Sequence, residues 1–173
     1  MPDYQQRVLD SQGKLRQLQA KIPGFKGYMA KEARREADKM LRTAIGRKLD
    51  QQKTRLQQLS AKLATAGDLE TPPAVEKVRM RLQTVTDKIK TATYGYAGFF
   101  DAATVNEREL DALYAFDNSL LDDVDTVAAA VTALAGAAAG QPFADALAAV
   151  GAAIEDLHTE WAKRQDVVTG GGV

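Results

Sequence analysis

Residues 93–100 read Thr-Tyr-Gly-Tyr-Ala-Gly-Phe-Phe, and this stretch divides the chain into two halves of opposite charge. Residues 1–97 carry 20 Lys and Arg against 10 Asp and Glu, whereas residues 98–173 carry 3 against 13. The formal net charge of zero therefore hides a basic half and an acidic half. The aromatic residues and glycines of this stretch predict a turn that packs against the protein, because a solvated linker would favour serine, proline and charged residues.

The length of the chain suits one domain. We expect it to cover residues 1–168, with the basic half at 1–97, the acidic half at 98–168 and a disordered Gly-rich tail at 169–173. The absence of cysteine excludes disulfides, thiolate metal sites and cysteine nucleophiles. The N-terminus lacks the pattern of a secretory signal, and the Ala-rich run 127–139 is shorter than the ~20 residues that span a bilayer. These features together predict a cytoplasmic protein.

The spacing of apolar residues predicts five helices. Val75, Val78, Leu82, Val85 and Ile89 alternate by three and four residues, which is the pattern of a helix in a left-handed bundle. We expect an all-α fold, an antiparallel helical bundle with coiled-coil-like packing, in which helices 2 and 4 are the longest and run side by side. The predicted helices cover residues 4–22, 29–66, 72–92, 105–139 and 142–168.

Several short motifs predict where these helices begin and end. Gly67 is placed to end helix 2 in the left-handed conformation, and Thr71 before Pro72 reads as an N-cap followed by a proline in the first turn. Thr104 and Glu107 form a capping-box pattern at the start of helix 4.

Asp117 occupies an apolar position of the helix 4 stripe, and two interpretations follow. The stripe is wide, so Asp117 can lie at its edge and meet a basic residue of helix 2 or helix 3. Alternatively, it is a buried ion pair that fixes how the two halves dock, because a buried carboxylate needs a partner.

Two clusters of side chains are candidates for interaction surfaces. The aromatic cluster predicts either a cap on the core, a ligand pocket or a docking patch for a protein partner. The basic face of helices 2 and 3 is either a solvated face whose charge is balanced by the acidic half, or a surface that binds anionic membranes. Acidic residues interleave with its cations, which argues against nucleic-acid binding. The aromatic cluster comprises Phe25, Tyr28, Tyr94, Tyr96, Phe99 and Phe100, and the basic face comprises Arg34, Arg35, Lys39, Arg42, Lys48 and Arg55.

His158 is the only histidine, and Glu155 precedes it with the Glu-x-x-His spacing of di-iron bundles. Those sites need a second such motif, which the chain does not contain, so we expect no metal site, no cofactor and no catalytic residue. The sequence thus predicts a non-enzymatic interaction or scaffold protein that binds a protein partner or itself. The alternatives are a peripheral membrane-surface protein and a bundle that binds a small ligand or a metal.

Overall fold

The computed structural model describes residues 2–92, 100, 102 and 106–169. Residues 2–4 are described by their backbone only. This part of the chain contains five helices and no strand, which confirms the predicted all-α helical bundle. Residues 93–99 of the turn predicted at 93–100 and residues 170–173 of the tail predicted at 169–173 lie outside the described residues. Thr169, which was assigned to the tail, is the last residue of the fifth helix. The helices are α1 (Pro2–Lys21), α2 (Lys31–Thr65), α3 (Pro72–Lys90), α4 (Glu107–Ala135) and α5 (Gln141–Thr169).

Helices 2 and 4 are predicted from the sequence to be the longest. Helix α2 has 35 residues, whereas α4 and α5 have 29 each. The prediction extended α4 to residue 139, but the helix ends at Ala135 because the Gly136 amide is shared between the carbonyls of Thr132 and Ala133. That sharing tightens the last turn and closes the helix.

The helices form two compact units. The first unit contains Met1–Ala44, Ala92–Leu121 and Thr159–Val173, and the second contains Ile45–Thr91 and Asp122–His158. Helices α2, α4 and α5 contribute segments to both units, whereas α1 belongs to the first unit and α3 to the second. Each unit therefore contains four helical segments, and each combines parts of the basic and the acidic half.

The core of the second unit follows the apolar stripe that the sequence predicts for α3. Val75, Val78, Leu82, Val85 and Ile89 are all buried. They pack in the unit that also contains the buried residues Val124, Val127, Val131, Val150, Ile154 and Leu157 of α4 and α5.

The turn between α2 and α3 has the predicted glycine and the predicted N-cap residue, but that residue makes no side-chain cap. Gly67 has φ +88°, and the amides of Gly67 and Asp68 bond to the carbonyls of Ala64 and Leu63, which is a Schellman ending. Thr71 precedes the helix, as predicted, but its side chain makes no capping hydrogen bond. Instead, Asp68 Oδ1 accepts hydrogen bonds from the amides of Glu70 and Thr71 at 3.0 and 2.9 Å.

Helix α4 begins later than predicted. Asn106, rather than Thr104, is its N-cap, because Asn106 Oδ1 accepts a hydrogen bond from the Arg108 amide at 2.8 Å and Glu107 is the first helical residue. Thr104 lies outside the described residues.

Helix α1 is attached to α4 in the first unit by polar contacts. Asp111 Oδ1 accepts hydrogen bonds from Ser11 Oγ at 3.0 Å and from Lys14 Nζ at 2.7 Å. About two turns further along α4, Asn118 Nδ2 donates to the Lys14 carbonyl at 3.1 Å. The serine that interrupts the apolar stripe of α1 thus faces a carboxylate of α4.

Candidate functional site

Five buried side chains of the first unit form what we call the polar cluster: Tyr28, Asp38, Tyr114, Asp117 and Arg164. None is more than 2% exposed. They come from four places, because Tyr28 lies in the turn before α2, Asp38 in α2, Tyr114 and Asp117 in α4, and Arg164 in α5. The cluster therefore connects every element of this unit except α1.

Arg164 is the centre of the polar cluster. Its Nε lies 2.6 Å from Asp117 Oδ1 and its Nη2 lies 2.8 Å from Asp38 Oδ1. The second oxygen of Asp38 is 2.7 Å from Nε of Arg42, which is partly buried. Two carboxylates thus face two guanidinium groups, and this pairing offsets the large free-energy cost of taking each charge out of water.

Tyr28 completes the hydrogen bonding of Asp117. Its hydroxyl donates a short hydrogen bond to Asp117 Oδ2 and accepts one from Arg164 Nη2 at 3.1 Å. The Tyr28 amide donates to the Tyr114 hydroxyl at 3.1 Å, and the two rings stack with centroids 5.6 Å apart. Phe25 packs edge-on against Tyr28 at 5.6 Å.

Gly27 is the residue that lets the turn approach α4 so closely. It has φ +83°, a conformation that glycine adopts without strain. A Cβ at this position would collide with the Tyr114 hydroxyl and touch Leu15 Cδ1 at 3.0 Å. A side chain here would displace Tyr114 from its hydrogen bond to the Tyr28 amide.

Arg34 lies in the interior, although the sequence analysis assigned it to the basic face. It is 2% exposed, and its Nε donates to the Tyr28 carbonyl at 2.8 Å while its Nη1 donates to the Ala102 carbonyl at 2.7 Å. The assignment to the outer face was wrong because it rested on charge alone. Arg34, Asp38, Leu41 and Ile45 are spaced by four, three and four residues, and that periodicity could have placed Arg34 on the inner side.

Burial dominates the electrostatics of the polar cluster. It raises the pKa of Asp117, and the ion pair with Arg164 opposes that rise. Burial and the negative charge of Asp117 raise the pKa of Tyr28 well above its ordinary value. Tyr28 is therefore a neutral hydrogen-bond donor near pH 7, and Arg164 supplies the positive charge.

The burial of Asp117 decides between the two interpretations of this residue. The carboxylate is fully buried, so it does not lie at the edge of the stripe. Its charged partner is Arg164 of α5, not a basic residue of helix 2 or helix 3. Both residues belong to the acidic half, so this pair does not itself join the two halves; the contact of Arg164 with Asp38 does. Sequence reasoning missed Arg164, although Leu157, Trp161, Arg164 and Val168 continue the α5 stripe at four, three and four residues. An arginine in an apolar position of one helix was the signal that could have matched an aspartate in such a position of another.

The described part of the aromatic cluster lies in the core. Phe25, Tyr28 and Phe100 are at most 4% exposed, as expected for a cap on the core. Tyr94, Tyr96 and Phe99 lie outside the described residues. The docking role of this cluster stays a prediction for those three residues only.

The remaining residues of the basic face differ in their exposure and in the contacts that they make. Arg35 and Lys39 are exposed. Arg42 pairs with Asp38, Lys48 Nζ lies 2.8 Å from Asp125 Oδ1, and Arg55 Nη1 donates to Gln52 Oε1 at 3.0 Å. The contact between Lys48 and Asp125 places α2 beside α4 at that point of the second unit.

A small apolar cavity of about 100 Å³ lies in the first unit beside the polar cluster. Tyr114 is the only member of the polar cluster that borders it. The other residues that line the cavity are the apolar Val8, Leu15, Met29 and Leu110 and the polar Arg7, Ser11, Gln12 and Glu107. The ion pairs of Arg164 do not reach this cavity.

His158 belongs to the second unit, and its surroundings do not favour a metal ion. Its Nε2 lies 3.2 Å from Nζ of Lys88. Over the described ranges, no group of three or more His, Cys, Asp or Glu side chains is arranged to hold a metal ion. A lysine ammonium at the ring nitrogen also repels cations.

None of the helices in the described part of the chain has the length and apolar character needed to cross a membrane. No protein-family model matches this chain, and comparison with curated proteins and with solved structures found no match. The function is therefore argued from the residues alone.

Proposed function

We propose that this chain is a non-enzymatic helical interaction protein, a scaffold in which segments of the basic half pack against segments of the acidic half. The observation that carries the proposal is the neutralisation of charge within each unit. In the first unit, residues 1–44 carry 10 Lys and Arg against 5 Asp and Glu, and residues 92–121 carry 1 against 5. In the second, residues 45–91 carry 10 against 5, and residues 122–158 carry none against 6.

Ion pairs between the halves support this proposal in both units. Lys14 pairs with Asp111 at 2.7 Å and Lys48 pairs with Asp125 at 2.8 Å. Such pairs are partly exposed and contribute only about 0–1 kcal/mol each, so they select the pairing while the apolar core supplies most of the stability.

The contacts within the polar cluster favour a structural role for it. Its charged groups are directed at one another, and its tyrosine hydroxyls are engaged in hydrogen bonds within the cluster. Substitution of a cluster residue should therefore act through stability, whereas substitution of exposed charges should act through association.

The proposal is tested by separating these two effects in the full chain. We expect Asp117→Asn to lower the melting temperature without changing partner binding per folded molecule. Charge reversal at exposed cations should weaken binding to a purified partner without changing the melting temperature. A reaction catalysed by the wild-type chain and lost in a folded Asp117→Asn variant would overturn the proposal.

A second candidate is binding to an anionic membrane surface, and the exposed cations of the second unit favour it. Arg47 and Lys62 of α2 and Lys77, Arg81 and Lys88 of α3 are exposed. An exposed Lys or Arg that lies near an anionic membrane surface contributes about 1 kcal/mol of attraction to it. Flotation with vesicles that contain anionic lipid, at low and high salt, tests this candidate.

A further inference from the structure

The second unit presents two neighbouring exposed stripes of opposite charge, on α3 and on α5. The contact between Lys88 and His158 shows that the two helices are adjacent. Ala74 and Ala144, from their first turns, line the same groove, so the two helices run in the same direction. One face of the unit is therefore built from two parallel helices.

The α3 stripe consists of Lys77, Met80, Thr84 and Lys88, spaced by three, four and four residues. All four are exposed, and Met80 is 60% exposed. Lys77 makes no ion pair within the described part of the chain. Methionine is a residue type that is enriched at protein interfaces, and exposing its apolar side chain to water is unfavourable.

The α5 stripe consists of Asp145, Ala148, Ala152 and Glu155, spaced by three, four and three residues. All four are exposed. Asp145 accepts a hydrogen bond only from Gln141 of its own helix, and Glu155 has no ion-pair partner among the residues that the structure describes. Two carboxylates thus flank two small apolar side chains.

The two stripes match each other in spacing and in chemistry. The cations of α3 are 11 residues apart, or about 16.5 Å, and the anions of α5 are 10 residues apart, or about 15 Å. Aligned in the same direction, Lys77 meets Asp145, Met80 meets Ala148, and Lys88 meets Glu155. The small alanines leave room for the methionine side chain.

We infer that this face binds a second copy of the same chain, with α3 of each copy against α5 of the other. The inference rests on the proposed function and names the partner. A two-fold axis parallel to the helices produces this arrangement, since it exchanges neighbouring helices while keeping their direction. Rotation about such an axis does not shift residues along the helices. Within one molecule, Lys88 lies level with His158, which is three residues from Glu155, so each α3 residue lies within about one helical turn of its proposed partner on α5 of the other copy. The interface is then self-complementary, with four opposite-charge pairs around two methionines.

An anionic membrane fits this face less well than a second copy does. The α5 carboxylates lie on the neighbouring helix, so a flat anionic surface that approaches the α3 lysines also meets Asp145 and Glu155. A second copy turns the same alternation of charge into attraction at every position.

The test is the mass of the full chain in solution, measured by light scattering over a range of concentrations. In low salt we expect the wild type to move towards twice the chain mass of 18.7 kDa as its concentration rises, and to return to one chain mass in high salt. The double variants Lys77→Glu/Lys88→Glu and Asp145→Lys/Glu155→Lys should each stay at one chain mass. A mixture of these two variants should form a 1:1 dimer, because one carries only anions and the other only cations on the face.

A matched control reverses two exposed cations outside this face, Arg47→Glu/Lys62→Glu, with the same change in net charge. We expect it to dimerise as the wild type does, and Met80→Asp to stay monomeric. Circular dichroism of each variant checks that it is folded, and the variant carrying all four substitutions of the face, which restores complementarity, should dimerise again.

A wild type that stays monomeric at every concentration and salt level would overturn the inference. So would equal loss of dimer in the α2 control, or a mixture that fails to form the 1:1 species. If the protein is monomeric and its flotation with anionic vesicles depends on Lys77 and Lys88, the face binds an anionic membrane and not a second copy. None of these outcomes bears on catalysis, so the proposed function is judged separately by the Asp117→Asn experiment.

Discussion

The two units of this protein are each built from four helical segments, yet they specify their packing by different means. Among the described residues of the first unit, four charged side chains are buried: Arg34, Asp38, Asp117 and Arg164. In the second, the buried polar side chains of the described residues are Gln52 and Thr86, and neither is charged. Apolar spacing defines the second unit, whereas directional ion pairs and hydrogen bonds define the first. We therefore expect the second unit to tolerate changes of side-chain shape and the first unit not to tolerate the loss of a charge.

The largest effect should come from removing the charge at the centre of the polar cluster. Arg164→Leu leaves Asp117 without its guanidinium partner in a fully buried site, so we expect a loss of about 3–5 kcal/mol in the free energy of unfolding, measured by urea denaturation followed by circular dichroism. The matched control Arg47→Leu, at an exposed position of α2, should change it by less than about 0.5 kcal/mol. The double variant Asp117→Leu/Arg164→Leu should lose less than Arg164→Leu alone, because it leaves no unpaired charge at position 117. Equal losses in the two arginine variants would remove the distinction between the units.

The second unit should respond to volume. Leu82 is fully buried in α3, so Leu82→Ala leaves a cavity and should lower the free energy of unfolding by about 3 kcal/mol. Leu82→Met conserves volume and should lower it by less than about 1.5 kcal/mol. Urea denaturation of both variants measures the difference. If Leu82→Met were as harmful as Leu82→Ala, this core would need a specific shape and not only a filled volume.

Two glycines in the left-handed conformation allow a finer comparison between the units. Gly67→Ala meets no atom within 4 Å, so it carries only the backbone strain of a positive φ, about 1–2 kcal/mol. Gly27→Ala carries the same strain and also displaces the Tyr114 hydroxyl, so its melting temperature should fall further. Tyr114→Phe removes that hydroxyl. Adding Gly27→Ala to Tyr114→Phe should therefore lower the melting temperature by less than adding Gly27→Ala to the wild type. Identical melting temperatures for the two single variants would mean that the turn and α4 are not held together through Tyr114.

The smallest effect should be a difference in pH dependence. Because the folded-state pKa of Asp117 is raised, its contribution to stability is present below the unfolded pKa of about 3.9 and is lost as pH rises through the folded pKa. Asp50 in the second unit behaves oppositely: burial raises its pKa, but hydrogen bonds from Lys53 and Lys90 outweigh this and lower it. Its contribution is present above the unfolded pKa and is lost as pH falls through the folded pKa.

The free energy of unfolding at several pH values between 4 and 7 measures this contrast in Asp117→Asn and Asp50→Asn. As pH falls, the wild type should gain stability relative to Asp117→Asn and lose stability relative to Asp50→Asn. The Asp50 side chain is 42% exposed, so solvent screening reduces its effect to well below about 1 kcal/mol. Trends of the same sign in both comparisons would contradict the opposite pKa shifts.

The sequence predicts the second unit better than the first, and the reason is physical. Burial of Val75, Val78, Leu82, Val85 and Ile89 follows from periodicity, because an apolar stripe has only one favourable side in water. Asp117 was recognisable as an anomaly in such a stripe, but its partner was not. A carboxylate needs one cation within about 3 Å, and 23 Lys and Arg residues are available, so helical spacing cannot choose among them.

Capping motifs show the same limit on a smaller scale. Gly67 ends α2 as predicted, since few other residues adopt φ near +90° at low cost. Thr104 and Asn106 are both good N-cap residues, so capping preference alone could not fix the residue at which α4 begins.

Trp161 gives the contrast between the units an optical signal. It is the only tryptophan of the chain, it belongs to the first unit, and the Arg164 guanidinium lies 5.3 Å from the centre of its buried ring. Its emission therefore reports on the environment of Arg164, whereas helical ellipticity reports on all five helices together. If the first unit opens before the second, the fluorescence transition will precede the ellipticity transition along a urea titration. Coincident transitions will mean that the three shared helices make both units unfold as one.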